Sequence, residues 1–173
     1  MVSQQPLTPV HWCPPPNSWC KVNFDGAIFQ ELEAAGIGVV IRDHEGRVTG
    51  AMSERIALPP SIEHVEALAC RRAILFARDF NLQIVTLEGD SETIINSLNL
   101  DEECFASFGH LIEDSRHLVT SFQAVTFSHV KREGNSVADK LAELARQSHF
   151  PWMWLEDIHS DASNLVLLDR SFC

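Results

Sequence analysis

The patterned part of the sequence begins with three strand-like runs in succession, and this order restricts the possible fold more than any other feature. Residues 19–26 alternate apolar and polar side chains, and residues 36–42 are almost continuously apolar. A third run, residues 48–56, follows the polar segment 43–47, whose Asp, Glu and Gly favour a hairpin turn. Because strands joined by so short a turn pair antiparallel, the sequence predicts a three-stranded meander.

After Pro59 and Pro60 the spacing of the apolar residues changes to that of a helix. Ser61 is a candidate N-cap for this helix. Strand-like and helical patterns then alternate over residues 83–88, 90–98, 109–122, 124–130 and 135–147. The order βββαβααβα predicts an α/β fold with a five-stranded mixed sheet, three antiparallel strands followed by parallel strands, and helices on both faces.

The distribution of prolines and apolar residues divides the chain into three segments. Residues 1–18 include three consecutive prolines and are predicted to be a leader or linker outside the domain. Residues 19–148 form the predicted domain. Residues 149–173 contain two tryptophans and several leucines, so this tail is expected to pack against the domain rather than to be disordered.

The charge of the chain limits the classes of partner. Thirteen basic and twenty-four acidic side chains give a formal net charge of −11, which argues against a protein held to DNA or anionic lipid by overall charge. No apolar run approaches the roughly 18 residues that a membrane-spanning helix needs. Residues 1–20 show neither a secretory signal nor a transit peptide. The expectation is an intracellular monomer, nuclear or cytoplasmic, without a membrane segment.

The five cysteines contain no CxxC pair, and free thiols are the expected state. A zinc site formed by His11, Cys13 and Cys20 is disfavoured, because no second ligand pair follows at the spacing of a zinc finger.

Four acidic residues stand beside apolar residues at the predicted ends of strands and helices. Asp25 ends the first strand and Asp90 follows the fourth, so the two carboxylates meet if these strands are parallel. Glu66 and Asp139 lie at the border of the apolar face in the first turns of two helices. A carboxylate in such surroundings needs a partner to offset the loss of hydration.

Each of these acids also has a simpler structural interpretation. Asp25 and Asp90 can terminate a strand and cap a helix, Glu66 can complement a helix dipole, and Asp139 can lie on a helix surface. Four converging carboxylates, however, repel one another and raise one another's pKa unless divalent cations neutralise them. The complete set therefore predicts a Mg²⁺ or Mn²⁺ site.

Five motifs occur in a fixed order over residues 19–148, namely NFDGA, GIGVVIRDHEGRV, EHVEALACRRAILFA, LEGDS and FSHVKREGNSVADKLAELA. This ordered set resembles the type 1 ribonuclease H domain, in particular the branch found in plant non-LTR retroelements and their solitary relatives. The resemblance implies a ribonuclease H-like sheet. It also implies a metal-dependent endonuclease that hydrolyses the RNA strand of RNA/DNA hybrids.

The resemblance assigns the catalytic residues as well. It implies that two Mg²⁺ ions, for which Mn²⁺ can substitute, are held by Asp25, Glu66, Asp90 and Asp139, with Asp25 as the bridging ligand. His129 matches the histidine that precedes the last acid by ten residues. In that role it moves a proton or assists product release. Considered alone, it is more often a strand-end histidine bonded to the backbone.

The residues expected to contact nucleic acid are Ser91, Arg71, Arg72, Lys131, Arg132 and Asn135. Ser91 is equally a helix cap, and the two helix arginines are equally an exposed helix face. The segment 28–35, IFQELEAA, carries two glutamates where many ribonucleases H have a Gly- and Asn-rich loop. Arg116 is the single Lys or Arg between Asp90 and His129, so no basic handle is present.

So few basic groups predict weak, salt-sensitive binding of nucleic acid. The alternative hypothesis is a retained ribonuclease H fold that binds nucleic acid or a protein partner with little or no turnover.

Overall fold

A mixed sheet of six strands forms the centre of the protein, whose structure is a computed structural model describing residues 7–173. The strands are β1 (Cys20–Phe29), β2 (Ala34–Arg42), β3 (Val48–Ala57), β4 (Ile84–Gly89), β5 (Ala124–His129) and β6 (Trp152–Leu155). Across the sheet they lie in the order β5-β4-β1-β2-β3-β6. The neighbours β1, β4 and β5 are parallel and the other pairs are antiparallel. The predicted meander followed by parallel strands is confirmed.

Between Leu7 and Cys173, five α-helices cover the two faces of this sheet. They are α1 (Ile62–Asp79), α2 (Glu92–Asn99), α3 (Gly109–Leu118), α4 (Ser136–Leu144) and α5 (Ser160–Ser171). Helices α1, α2 and α3 bury the larger apolar core against one face, whereas α4 and α5 bury a smaller cluster against the other. Within residues 7–173, none of the helices has the length and apolar character needed to cross a membrane.

The sheet has one strand more than the five predicted, and the additional strand comes from the tail. β6 pairs with β3 from Ser53 opposite Trp152 to Gly50 opposite Leu155. Its four residues are too few for the period-two signal that identifies a strand in sequence. The tail also forms α5, whose Val166 is buried in the smaller apolar cluster.

Two glycines on β2 allow α4 to lie against the backbone of the sheet. A Cβ at Gly36 would lie 2.1 Å from the carbonyl oxygen of Ala142, and one at Gly38 would lie 2.2 Å from that of Ala138. Because real side chains do not approach so closely, any larger residue would push α4 away from β2.

The predicted leader, residues 1–18, lies partly outside the described residues, which begin at Leu7. The described part is not a free linker. Trp12 is 1% exposed, and its indole Nε1 donates to Asn23 Oδ1 at 3.0 Å. The proline-rich pattern gives no sign of this, because one buried tryptophan in an irregular segment has no periodicity.

Candidate active site

Strands β1 and β4 bring the first two acids together. Their parallel register ends with Asn23 opposite Glu88. Asp25 and Asp90 each lie two residues beyond this last pair, at the same edge of the parallel part of the sheet. Asp25 was expected to end its strand, but β1 continues to Phe29 in antiparallel pairing with β2. The pairing with β2 holds the backbone around Asp25 in place.

Helix α1 delivers the third acid. Its N-cap is Ser61, whose Oγ accepts a hydrogen bond from the backbone N–H of His64 at 3.3 Å. One turn later Glu66 is 7% exposed and faces β1. Gly26 makes this approach possible, since a Cβ there would lie 2.4 Å from Cγ1 of Val65.

Helix α4 carries the fourth acid in its first turn. Asp139 lines a cleft of about 370 Å³ together with the other three acids. In the described part of the chain, one carboxylate oxygen each from Asp25, Glu66 and Asp90 lies within 4.8 Å of the others. Asp139 stands outside this tight group of three, at the rim of the same cleft.

The three clustered acids hold their protons unusually strongly. Burial, reinforced by the carboxylates of Glu66 and Asp90, raises the pKa of Asp25 to about 10. Burial and the charge of Asp90 raise the pKa of Glu66 to about 8. The pKa of Asp90 is also raised by burial, although the positive charge of Arg132 works against the shift. The cluster is therefore short of positive charge.

The ligand atoms that this cluster offers suit a hard divalent cation. Carboxylate oxygens are the ligands that Mg²⁺ and Mn²⁺ prefer. Within residues 7–173, the buried Oε2 of Glu66 has no hydrogen-bond partner. A buried acceptor without a donor costs free energy, and a cation in the cleft would remove that cost. The residues present fit a metal.

His129 lies at the end of β5, beside Asp90. Its Nε2 is 3.1 Å from the backbone carbonyl oxygen of Asp90. Because a carbonyl oxygen only accepts hydrogen bonds, Nε2 carries the proton in this contact, and Nδ1 of a neutral ring is left as the acceptor. His129 therefore makes the backbone contact expected of a strand-end histidine, and it also lies next to the acids.

The residues predicted to contact nucleic acid lie in different surroundings. Arg132 is exposed and lines the cleft with the acids, and Lys131 beside it is exposed. Ser91 is the N-cap of α2, where its Oγ accepts from the backbone N–H of Ile94 at 3.4 Å. Its hydroxyl proton is not used by that bond.

Two arginines of α1 already have acidic partners. Arg72 Nε lies 2.7 Å from a carboxylate oxygen of Glu54, and Arg71 Nε lies 3.5 Å from one of Asp114. Each ion pair reduces the positive charge that the helix face offers to a phosphate.

Asn135 lies in the interior and not on a binding surface, with 1% of its area exposed. Its Nδ2 donates to the backbone oxygen of Phe24 at 2.9 Å, and its Oδ1 accepts from Asn23. It occupies the N-cap position of α4 without a side-chain cap bond. The amide ties the start of α4 to β1 and so helps to place Asp139.

The two departures from the family pattern are visible in the structure. Glu31 forms an ion pair with Arg146, so part of the negative charge of segment 28–35 is neutralised within the chain. Arg116 donates to the backbone oxygens of Ser97, Leu100 and Glu102. These bonds hold the segment after α2 in place, so the role of Arg116 is structural.

The glycines that bring the acids together were not predicted. Gly26 admits α1, and Gly36 and Gly38 admit α4. The available signal was the glycine alternation in GIG, since two small residues on one face of a strand mark a close approach by another backbone.

Comparisons with known proteins identify related sequences and structures. Residues 23–145 match the reverse transcriptase-like family. A relative from Arabidopsis thaliana, named "Putative ribonuclease H protein", is 31% identical over 136 residues, which are 79% of this chain and 22% of the relative. The chain thus spans about a fifth of that relative's length.

Solved structures share the fold. RNase H1 from the archaeon Halobacterium salinarum is similar with a TM-score of 0.69 and 25% identity, over 75% of this chain and 98% of that one. LC11-RNase H1, solved in complex with an RNA/DNA hybrid, has a TM-score of 0.62 and 24% identity, over 73% of this chain and 95% of that one. The family match covers most of the sequence, and so this chain belongs to the reverse transcriptase-like family and carries a ribonuclease H-like domain.

Proposed function

We propose that this protein is a divalent-metal-dependent endonuclease that hydrolyses the RNA strand of RNA/DNA hybrids. The observation that carries the proposal is the group of three carboxylates within 4.8 Å of one another, with a fourth at the rim of the same open cleft. A folded chain gains no stability from like charges brought so close. Their retention in one cleft is explained by a function that uses them.

Asp25, Glu66, Asp90 and Asp139 would hold Mg²⁺, or Mn²⁺ in its place. When bound, two such ions supply an activated water and neutralise charge on the phosphate and the leaving oxygen. The chain's own contribution is to fix the ligands. The backbone N–H of Gly26 donates to Oδ1 of Asp25 at 2.9 Å, which orients this carboxylate towards the cleft.

His129 and Arg132 add groups that acids cannot provide. Because Nε2 of His129 is bonded to the backbone of Asp90, its Nδ1 can accept and release a proton at the edge of the site. Arg132 places a positive charge in the cleft, where it can bind a phosphate oxygen of the substrate.

The hybrid as substrate rests on the relatives. LC11-RNase H1 has been solved in complex with an RNA/DNA hybrid, and it shares this fold. Selection of such a hybrid requires recognition of 2′-hydroxyls on one strand only. Ser91 follows Asp90 at the end of β4, and its hydroxyl proton, which the cap bond from Ile94 does not use, suits a phosphate or sugar oxygen of the strand in the cleft.

The test is cleavage of an end-labelled RNA/DNA hybrid at low salt with Mg²⁺ or Mn²⁺. We expect the wild-type protein to cut the RNA strand only, and Asp25→Asn to lose activity on the order of 10³-fold or more. Asp157→Asn, an exposed acid in the loop after β6, is the matched control and retains activity. Equal absence of cleavage in wild type and Asp25→Asn would contradict the proposal.

A second candidate, a binding module with little turnover, is favoured by the paired arginines of α1 and by the net charge of −11. It predicts that the hybrid binds the wild-type protein while neither cation supports cleavage. Binding of the hybrid, measured by fluorescence anisotropy, distinguishes the two functions when it is read together with the cleavage assay.

A further inference from the structure

The described part of the leader lies across the loop that joins β5 to α4. We propose that residues 9–13, here called the strap, position this loop, residues 130–135, and through it the catalytic groups on either side. The kinetic part of the inference rests on the proposed nuclease function. The family match covers residues 23–145, so the strap lies outside the matched region.

The strap touches the loop directly. The backbone N–H of Lys131 donates to the carbonyl oxygen of Pro9 at 3.0 Å. At Gly134 a Cβ would lie 3.0 Å from both the carbonyl oxygen of Val10 and the carbonyl carbon of His11. Glycine at this position therefore lets the two backbones pack against each other.

The strap and the loop share one anchor inside the protein. Trp12 donates to Oδ1 of Asn23, and Asn23 donates to Oδ1 of Asn135, the last residue of the loop, at 3.2 Å. The indole ring of Trp12 is covered by the guanidinium of Arg42, 4.0 Å from the ring centroid. Movement of the strap would disturb the hydrogen bonds from Trp12 to Asn23 and from Asn23 to Asn135, and these bonds hold the strap and the end of the loop.

A second anchor comes from the two residues that follow α5. The ring of His11 stacks on Phe172, with 3.9 Å between centroids and 5° between planes. The thiol of Cys173 lies 3.8 Å from the carbonyl oxygen of Trp12, as a weak donor. The strap is thus held between the C-terminal helix and the β5–α4 loop, and it connects the two.

The position of this loop matters for catalysis, because three candidate catalytic groups lie in it or next to it. His129 comes immediately before it, Arg132 belongs to it, and Asp139 lies one turn into the helix that follows it. Arg132 and Asp139 line the cleft, and His129 contacts the backbone of Asp90, which also lines it. A displacement of catalytic groups by about 1 Å can cost a large factor in rate. The strap residues do not line this cleft, so they act as positioning residues.

The test loosens the strap without changing the loop or the cleft. In the full chain, Pro9→Gly/His11→Gly removes the stacking on Phe172 and makes the strap backbone more flexible, while Trp12 remains. We expect amide hydrogen exchange in the peptide covering 130–136 to become about tenfold faster, with peptides of β2 and β3 unchanged. We also expect kcat to fall by about tenfold and KM to stay within about twofold.

Two variants serve as controls. His11→Phe keeps an aromatic ring on Phe172 and should retain wild-type exchange and kcat. Phe150→Ala removes an exposed aromatic ring elsewhere, and it should also behave as wild type. If the double variant does not fold by near-ultraviolet circular dichroism, His11→Ala replaces it as the milder change.

The outcomes separate the two proposals. Unchanged exchange at 130–136, or an equal acceleration in β2 and β3, overturns the positioning role. Faster local exchange with unchanged kcat overturns it for a protein that cleaves the hybrid. If wild-type protein does not cleave, the proposed function fails, and the exchange result alone decides whether the strap holds the loop.

Discussion

Two polar clusters lie side by side along β1 and differ in how their charges are compensated. The balanced cluster consists of Lys21, Asn23, Arg42, Glu88 and Asp169. The acidic site consists of Asp25, Glu66, Asp90 and Asp139. Asn23 and Asp25 are two residues apart on one strand, so their side chains project to the same face of the sheet.

In the balanced cluster every charge has a partner within the chain. Arg42 Nη1 lies 2.6 Å from Oδ2 of Asp169, and Lys21 Nζ lies 3.2 Å from Oε2 of Glu88. Asn23 connects the pairs, since its Nδ2 donates to Glu88 and its Oδ1 accepts from Arg42. Two cations and two carboxylates leave no net charge to neutralise.

The acidic site has the opposite composition. Among the described residues, five carboxylates line one cleft, the four of the acidic site and that of Glu143, and Arg132 is the cation that lines it. Burial and mutual repulsion raise the pKa of Asp25 and of Glu66 as a result. Buried charges on this sheet are therefore neutralised where the chain supplies both signs, and the acidic site differs in having more carboxylates than cations.

The largest effect is expected from a substitution that breaks the balanced cluster. Asp169→Ala leaves the fully buried guanidinium of Arg42 without its counter-charge, and we expect a loss of about 3–5 kcal/mol in the free energy of unfolding. Urea denaturation measures this loss. Asp161→Ala, an exposed acid on the same helix, should cost less than about 1 kcal/mol. Equal losses in the free energy of unfolding for the two variants would contradict the conclusion that Asp169 neutralises a buried charge.

The second prediction concerns pH. The raised pKa values, about 10 for Asp25 and about 8 for Glu66, mean that the metal-free folded protein holds protons that the unfolded chain has released. Stability therefore falls as pH rises above about 5, with a slope approaching 1.4 kcal/mol per pH unit for each proton.

Urea denaturation of the metal-free protein at about pH 5.5, 7 and 8.5 measures this dependence of stability on pH. Asp25→Asn, which removes one repelling carboxyl, should flatten it. A stability that rises over this range would contradict the acid cluster as described.

The third prediction supplies the missing counter-charge. A cation that binds the folded site and not the unfolded chain stabilises the fold by about 2 kcal/mol when its concentration is roughly thirty times Kd. Thermal melts with and without Mg²⁺ should therefore show a higher Tm with the metal for the wild type. Asp90→Asn should reduce the shift, whereas Asp157→Asn should retain it. The same shift in all three proteins would place the cation elsewhere.

The smallest expected effect is at the border of the balanced cluster. Trp12→Phe keeps an aromatic ring over Arg42 but removes the indole N–H that bonds Asn23, and it should cost about 1 kcal/mol. Because the acids are untouched, the Mg²⁺-dependent Tm shift should equal that of the wild type. Urea denaturation and the same melts measure both quantities. A lost Mg²⁺ shift would show that the two clusters are coupled through Asn23.

Much of the fold could be predicted from local patterns. The alternating run 19–26 and the strand-like runs 36–42 and 48–56 predicted β1 to β3, and the caps Ser61 and Ser91 marked the starts of α1 and α2 correctly. β6 was missed because four residues carry too little periodicity. α5 was missed as well, since its apolar residues do not form a marked helical stripe and only its tertiary contacts distinguish it.

The candidate site also has a part that could be predicted from the sequence and a part that could not. The four acids could be selected because each stands beside apolar residues at a strand or helix terminus, where a carboxylate is unusual. The environment of the basic residues could not be predicted, because Arg71, Arg72 and Arg116 are engaged by partners from other elements. Asn135 was expected to contact nucleic acid, but it is buried against β1.

The sequence by itself determined the kinds and order of the elements and the identity of the acids, because hydrophobic period, caps and motif order are properties of neighbouring residues. Only the tertiary structure decided which charges are neutralised. Arg42 and Asp169 are separated by 127 positions, and Trp12 reaches Asn23 on β1 from an irregular segment outside the sheet. Such pairs depend on strand register and on how closely helices approach the sheet, and neither quantity is encoded in a local stretch of chain.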